Sequence, residues 1–186
     1  LGNDAGMAFG MAQFSRLKED CLRLNQQLWQ HRMMMDEVIP GGVRTHLTDE
    51  EIQSLLKQCA QLENELKQLR DIYDEHAGLQ DRFMGTGTVR PDLAAELGLS
   101  GLAGRASGQA WDARIDHPWG PYTQLNIKIA ANDHGDVAAR IAVRFDEAFE
   151  SLNFIRDLIV QLPAGAVHAE IAIPQNSCGA GWVESW

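Results

Sequence analysis

The chain has 186 residues, 45% of them hydrophobic, enough to bury one sizeable core, so a single domain over residues 1–186 is expected. Its 26 acidic side chains against 16 basic ones give a formal net charge of −10, which argues against a nucleic-acid partner, because neutralising phosphates takes clustered Lys and Arg. Cys21, Cys59 and Cys178 stand alone, as in a reducing compartment, no apolar run approaches the ~20 residues that span a bilayer, and no signal peptide is expected at Leu1, which follows no basic segment.

Residues 4–31 read as a long helix with Asn3 or Asp4 as N-cap. Met7, Met11, Phe14, Leu17, Cys21, Leu24 and Leu28 recur every three or four positions and share one face, a Met-rich seam that reads as core. His31 and Arg32 follow at its end, where a cation complements the helix dipole. Pro40-Gly41-Gly42 breaks the chain, and Thr48 and Glu51 are spaced as a capping box. A second helix over 49–77 then carries Ile52, Leu55, Cys59, Leu62, Leu66, Leu69 and Tyr73 in an unbroken three-four alternation, with Gly78 as its stop. The connection is of modest length, so the two helices are expected to run antiparallel.

Residues 79–134 are rich in Gly and Pro. Gly85-Thr86-Gly87 lacks the downstream glycine and the Lys-Ser/Thr of a phosphate cradle. Pro91 and Gly98 bracket a short helix, 91–97. The stretch from Gly104 to Tyr122 has neither helical nor strand period and reads as a loop rich in charge and aromatics. Leu125, Ile127 and Ile129 alternate with polar residues in a strand over 124–130, ahead of a turn at 132–135. A third long helix spans 136–162 with Val137, Ile141, Arg144, Ala148, Leu152, Ile155, Ile159 and Leu162 on one side. A second strand over 166–173, closed by Pro174, could pair with 124–130. The fold class expected is α+β, mostly α: three long packed helices, a small sheet and an irregular loop layer.

Three groups of residues share a further property. The first is Arg105-Ala106-Ser107-Gly108 with Trp111-Asp112-Ala113-Arg114, two following prolines and Tyr122. The second is His31-Arg32 with Ile39-Pro40-Gly41-Gly42-Val43, and the third is Gly135-Asp136 with Arg140, Val143-Arg144, Glu147, Ser151-Leu152 and Ile155. In this order they resemble the large subunit shared by membrane-bound nickel-iron hydrogenases of the formate-hydrogenlyase type and the quinone-site, 49-kDa-type subunit of NADH:quinone oxidoreductase (complex I). The resemblance implies an oxidoreductase of electron transfer, with a nickel-iron centre in hydrogenases or quinone and NADH-derived electrons in complex I. It implies an iron-sulfur small subunit and other subunits of a membrane-associated complex as partners, and a cytoplasmic position peripheral to the inner face of the membrane. The hydrogenases hold their metals on two Cys-x-x-Cys pairs that this chain lacks, so it reads as an excised central piece, without cofactor of its own and inactive in isolation. Asn3-Asp4-Ala5-Gly6-Met7-Ala8-Phe9 and Asp116-His117-Pro118 resemble the hydrogenase members more than complex I.

Asp4 is the candidate catalytic residue. Asp4-Ala5-Gly6 resembles the family's Asp-x-Gly, whose acid is proton-linked in the quinone-reducing members. As a residue it could equally be a plain helix cap, and a cap and a proton site can coexist. Arg105, Asp112 and Arg114, with Tyr122, Arg140 and Arg144, are expected to be structural or interface residues, the first three through an Arg pair flanking one carboxylate. The six histidines show no metal-binding spacing, so no metal site is expected. The alternative reading is a stand-alone helical interaction module without chemistry.

Overall fold

The computed structural model describes residues 1–172, 176, 178 and 179. In chain order it contains α1 (Ala8–Trp29), β1 (Val38–Ile39), β2 (Gly42–Val43), α2 (Asp49–Glu75), α3 (Ala77–Phe83), α4 (Pro91–Glu96), α5 (Gly101–Arg105), α6 (Ala113–Asp116), a 3-10 turn (Gly120–Thr123) and α7 (Val137–Val160). The mostly helical α+β class is observed, with the three long helices at the expected places. α2 forms the middle of the packed trio. Phe14 of α1 meets Tyr73 of α2, and Arg16 pairs with Glu65, so α1 and α2 run antiparallel as expected. Arg70–Asp146 and Arg156–Glu63 tie α2 to α7 in the same antiparallel sense.

The core is the set of seams turned toward one another: Leu17, Cys59, Leu66, Leu69, Tyr73, Leu79, Phe83, Ile141, Phe145 and Leu152. Tyr73 is its centre, with ring centroids 6.2 Å from Phe14, 6.4 Å from Phe83 and 5.8 Å from Phe145. Each such side chain, fully buried, contributes roughly 1.5–3 kcal/mol of hydrophobic stabilisation. Met11 is a correction. It was expected on the α1 seam but is 52% exposed, because α2 and α7 cover only the strip running through Phe14 and Leu17. α7 buries a second face as well. Ala139 and Val143 pack on Ala106 and on Leu102 of α5, which seats the loop layer on this helix.

Several boundaries differ from expectation, each for a local reason. α1 begins at Ala8, not residue 4, with Met7 as N-cap and no side-chain cap. The preceding residues close into a turn through Ala5 N–H to the Leu1 carbonyl and Met7 N–H to the Gly2 carbonyl, and Gly6, at φ +85°, bends the chain between Asp4 and the helix. The Thr48–Glu51 capping box is present in both directions. Gly78 does not stop α2. His76 does: its backbone turns extended and its Nδ1 accepts the Leu79 amide, starting α3. The stretch from Gly104 to Tyr122 is less irregular than its sequence suggests, since α5 ends within it, α6 lies inside it and the 3-10 turn begins in it.

The small sheet exists with different members. Residues 124–130 form no strand among the described residues, although Leu125, Ile127 and Ile129 are half-buried and Asn126 and Lys128 exposed, as the alternation predicts. The β1–β2 hairpin turns at Pro40-Gly41, with Gly41 at φ +94°. Its outer partner is the segment after α7: Val43 N–H donates to Val167 O at 2.9 Å and Ala169 N–H to Gly41 O at 3.1 Å. A Cβ on Gly41 or Gly42 would stand 2.1 Å from the Ala169 or Val167 carbonyl, so the glycine pair is what admits this segment. Of the expected strand 166–173, Ile173 and the closing Pro174 lie outside the described residues.

Candidate functional site

Asp4 sits on the turn before α1, its side chain 82% exposed and 3.3 Å from the Leu1 amino group. It caps nothing: the α1 amides begin beyond Met7. On the other side of this turn, Ala5 to Phe9 face α3 across a cleft of about 450 Å³, lined also by His76, Gly78, Leu79 and Arg82. Met7, Phe9 and Leu79 make its walls apolar, and Arg82 sets a cation at its mouth. Arg82 Nη1 donates to the Ala5 carbonyl. From below, the Tyr73 ring supports the same turn, its hydroxyl filling the space where Cβ atoms of Gly2 and Gly10 would otherwise be. Neither Arg82 nor Tyr73 stood out in the sequence as a site residue, since each reads as an ordinary helix position.

The two arginines expected around Asp112 divide their contacts between two carboxylates. Arg114 forks onto Asp112, Nε to Oδ1 at 2.9 Å and Nη2 to Oδ2 at 2.6 Å, and stacks its guanidinium 5.3 Å from the Phe154 ring centre. Arg105 grips Glu147 of α7, Nε at 2.7 Å and Nη2 at 2.6 Å, and donates to the Trp111 carbonyl. Arg144 reaches the other oxygen of Glu147 at 3.4 Å. The loop layer is thus fastened to α7 by two linked carboxylates, one on the loop and one on the helix. Burial pushes the Asp112 carboxyl up, but the Arg114 hydrogen bonds, the Arg114 amide and the nearby Arg105 charge outweigh it and hold it below the usual aspartate value.

Asp136 is a further anchor, legible in sequence only as the start of a helix. Oδ1 accepts the Ala139 amide and Oδ2 the Gly85 amide, each at 2.8 Å. Gly85-Thr86-Gly87 therefore docks on the N-terminus of α7, where this carboxylate already occupies the place an anion would take. Arg140 closes the same junction by donating to the Gly87 and Gly135 carbonyls. Ser107, wholly buried, has its Oγ against Gly135 with no hydrogen-bond partner among the described residues. Tyr122 stays apart from these networks and packs edge-on against the exposed Trp119, ring centres 5.7 Å apart. At the end of α1 the His31 Nδ1 accepts the Met33 and Met35 amides, and Arg32 reaches back to Glu19.

Among the described residues no three His, Cys, Asp or Glu side chains converge as a metal would require. The donor chemistry of a nickel-iron centre also does not fit these cysteines. Cys59 is buried in the α2 seam, Cys21 half-buried in α1, Cys178 exposed, and burial pushes the thiols of Cys21 and Cys59 up, away from the thiolate a metal needs.

Compared with known proteins, residues 4–179 match the family described as "Respiratory-chain NADH dehydrogenase, 49 Kd subunit". An NADH-quinone oxidoreductase subunit of Rhizobium etli (strain CIAT 652) is 31% identical over 165 residues, 89% of this chain and 41% of that protein. Formate hydrogenlyase subunit 5 of Escherichia coli (strain K12) is 28% identical over 165 residues, 89% of this chain and 29% of that protein. Among solved structures, a chain of the membrane-bound sulfane sulfur reductase, an archaeal respiratory membrane complex, superposes with a TM-score of 0.79 at 27% identity, covering 92% of this chain and 48% of that one. The chain spans less than half the length of each.

Proposed function

The chain belongs to the family of the 49 kDa subunit of respiratory-chain NADH dehydrogenase, and on that premise we propose that it is the helical centre of the large subunit of a multi-subunit, membrane-associated oxidoreductase. Its relatives include an NADH-quinone oxidoreductase subunit and a formate hydrogenlyase subunit. Quinone reduction adds two electrons and two protons, and hydrogen chemistry also moves protons with electrons, so either reaction needs a side chain that exchanges protons beside the electron acceptor. Asp4 is that side chain in our reading. The loop layer fastened by Arg105, Asp112, Arg114, Arg140 and Arg144 is the support on which an iron-sulfur partner subunit and the remainder of the large subunit would seat. Nickel and iron, in a hydrogenase, would be held outside this chain, and the residues here do not fit them.

The observation that carries the reading is the position of Asp4. It stands on a turn bent by Gly6, ahead of the helix end and 82% exposed, so its carboxylate is committed to neither cap nor core, while the next residue, Ala5, lines the cleft against α3. In the assembled complex Asp4→Asn should lower turnover, or its coupling to proton movement, while the complex still assembles, because the amide keeps the shape but exchanges no proton. Normal turnover and coupling in that variant would reduce Asp4 to a surface residue.

A further inference from the structure

The turn that carries Asp4 is closed from within by three backbone hydrogen bonds, Ala5 to Leu1, Gly6 to Asn3 and Met7 to Gly2. None of them fixes it against α3. That tie is made by Arg82, whose Nη1 donates to the Ala5 carbonyl, on the residue that follows the acid. The same nitrogen stands 2.8 Å from where a Cβ of Gly6 would be, so the bare Gly6 is what lets the guanidinium reach the backbone. Arg82 itself is well rooted: its neighbours Leu79 and Phe83 are 2% and 3% exposed, and the Thr86 hydroxyl donates to its carbonyl. A guanidinium on a carbonyl is a charge-assisted bond, about twice as strong as a neutral one, and an arginine fork gives it direction.

We infer that Arg82 is the positioning residue of the proton site, holding the Asp4-Ala5-Gly6 turn against α3 through the Ala5 carbonyl; the inference rests on the reading of Asp4 as the proton-exchanging acid. Arg82 acts on the backbone that carries the acid and exchanges no proton itself. A residue in that role loses its effect once the acid is gone.

The test is a double-mutant cycle in the assembled complex: Asp4→Asn, Arg82→Gln and the pair, with Arg82→Lys beside them. Arg82→Gln should lower turnover roughly ten- to a hundredfold, the cost of misplacing a reacting group by about an ångström. In the Asp4→Asn background the same change should cost no more than about twofold, since the two act as a unit. Arg82→Lys keeps a charged donor and should recover most of the loss; if Arg82→Gln does not assemble, Arg82→Met, which keeps the apolar stem without the donor, carries the cycle in its place. Hydrogen exchange of the Ala5, Gly6 and Met7 amides should quicken in Arg82→Gln. Losses that multiply in the double variant, or full turnover in Arg82→Gln beside a slow Asp4→Asn, overturn the inference alone. Full turnover in Asp4→Asn overturns the reading of Asp4 and the inference with it, an outcome the single variant identifies by itself.

Discussion

Asp112 is 4% exposed, and its two oxygens accept the Arg114 fork while the Arg114 amide shares one of them. A carboxylate so held has a folded pKa below its unfolded value, near 3.9. Its contribution to stability is therefore complete above about pH 4 and is lost as the pH falls through the depressed folded value. Asp112→Asn should lower stability at neutral pH by about 2 kcal/mol, the scale of a hydrogen bond to a charged group, and flatten the acid limb. Denaturant melts from pH 7 down to pH 2 would show this, and a variant whose acid limb matches the parent would refute it. Glu19 is also drawn down, in its case to about 2, by hydrogen bonds from Arg32 and Arg23, but on the surface, where such pairs contribute little. The Asp112–Arg114 pair was legible because its partners are two residues apart. The grip of Arg105 was not, because Glu147 lies 42 positions away and only the packing of α5 on α7 joins them.

Among the elements, the helices followed their sequence signals closely where those signals were local. The capping box formed at Thr48 and Glu51, and Pro91 opened α4. The sheet did not follow, for a strand's partner is never local: two alternating segments predict half-burial, and 124–130 obtained it without a ladder. The segment after α7 went instead to an edge with no Cβ in its way, Gly41-Gly42. Gly42→Ala should push that segment off the hairpin while leaving the helices intact. Amide exchange at Val43 and Ala169 should then rise by at least roughly tenfold, as expected of local opening, with the circular dichroism of the helices unchanged. Retained protection at both amides would show that the close approach is not what holds the segment.

At the scale of the molecule, one end of the bundle is conspicuously apolar. The connection after α1 exposes Met33, Met34 and Met35 by 60%, 45% and 61%, and Val38 by 83%. The end of α7 adds Val160 and Leu162, and the hairpin segment Ile171. The three methionines are held out by a hydrogen-bonded loop, with His31 Nδ1 accepting two of its amides and Met34 at φ +53°. Exposed apolar side chains gathered in this way favour association. The chain by itself should bind a hydrophobic dye and self-associate with rising concentration in sedimentation. A dispersed monomer that leaves the dye dark would count against a surface built to be covered by other parts of a complex.

The amino-acid sequence alone determined the three long helices, the capping box, the antiparallel α1–α2 pair and the family, because each rests on periods, caps and motifs read within a few tens of residues. It also marked Asp4 through the Asp-x-Gly spacing, without saying whether that acid caps a helix. Only the tertiary structure decided that. Gly6 bends the chain before α1, and the amides that Asp4 would have capped begin after Met7. The same holds for Arg82 on Ala5, Arg105 on Glu147, Asp136 on Gly85 and the bridge from the hairpin to the segment after α7. Each joins residues between 42 and 128 positions apart, and such contacts exist only after the core centred on Tyr73 has brought the helices together.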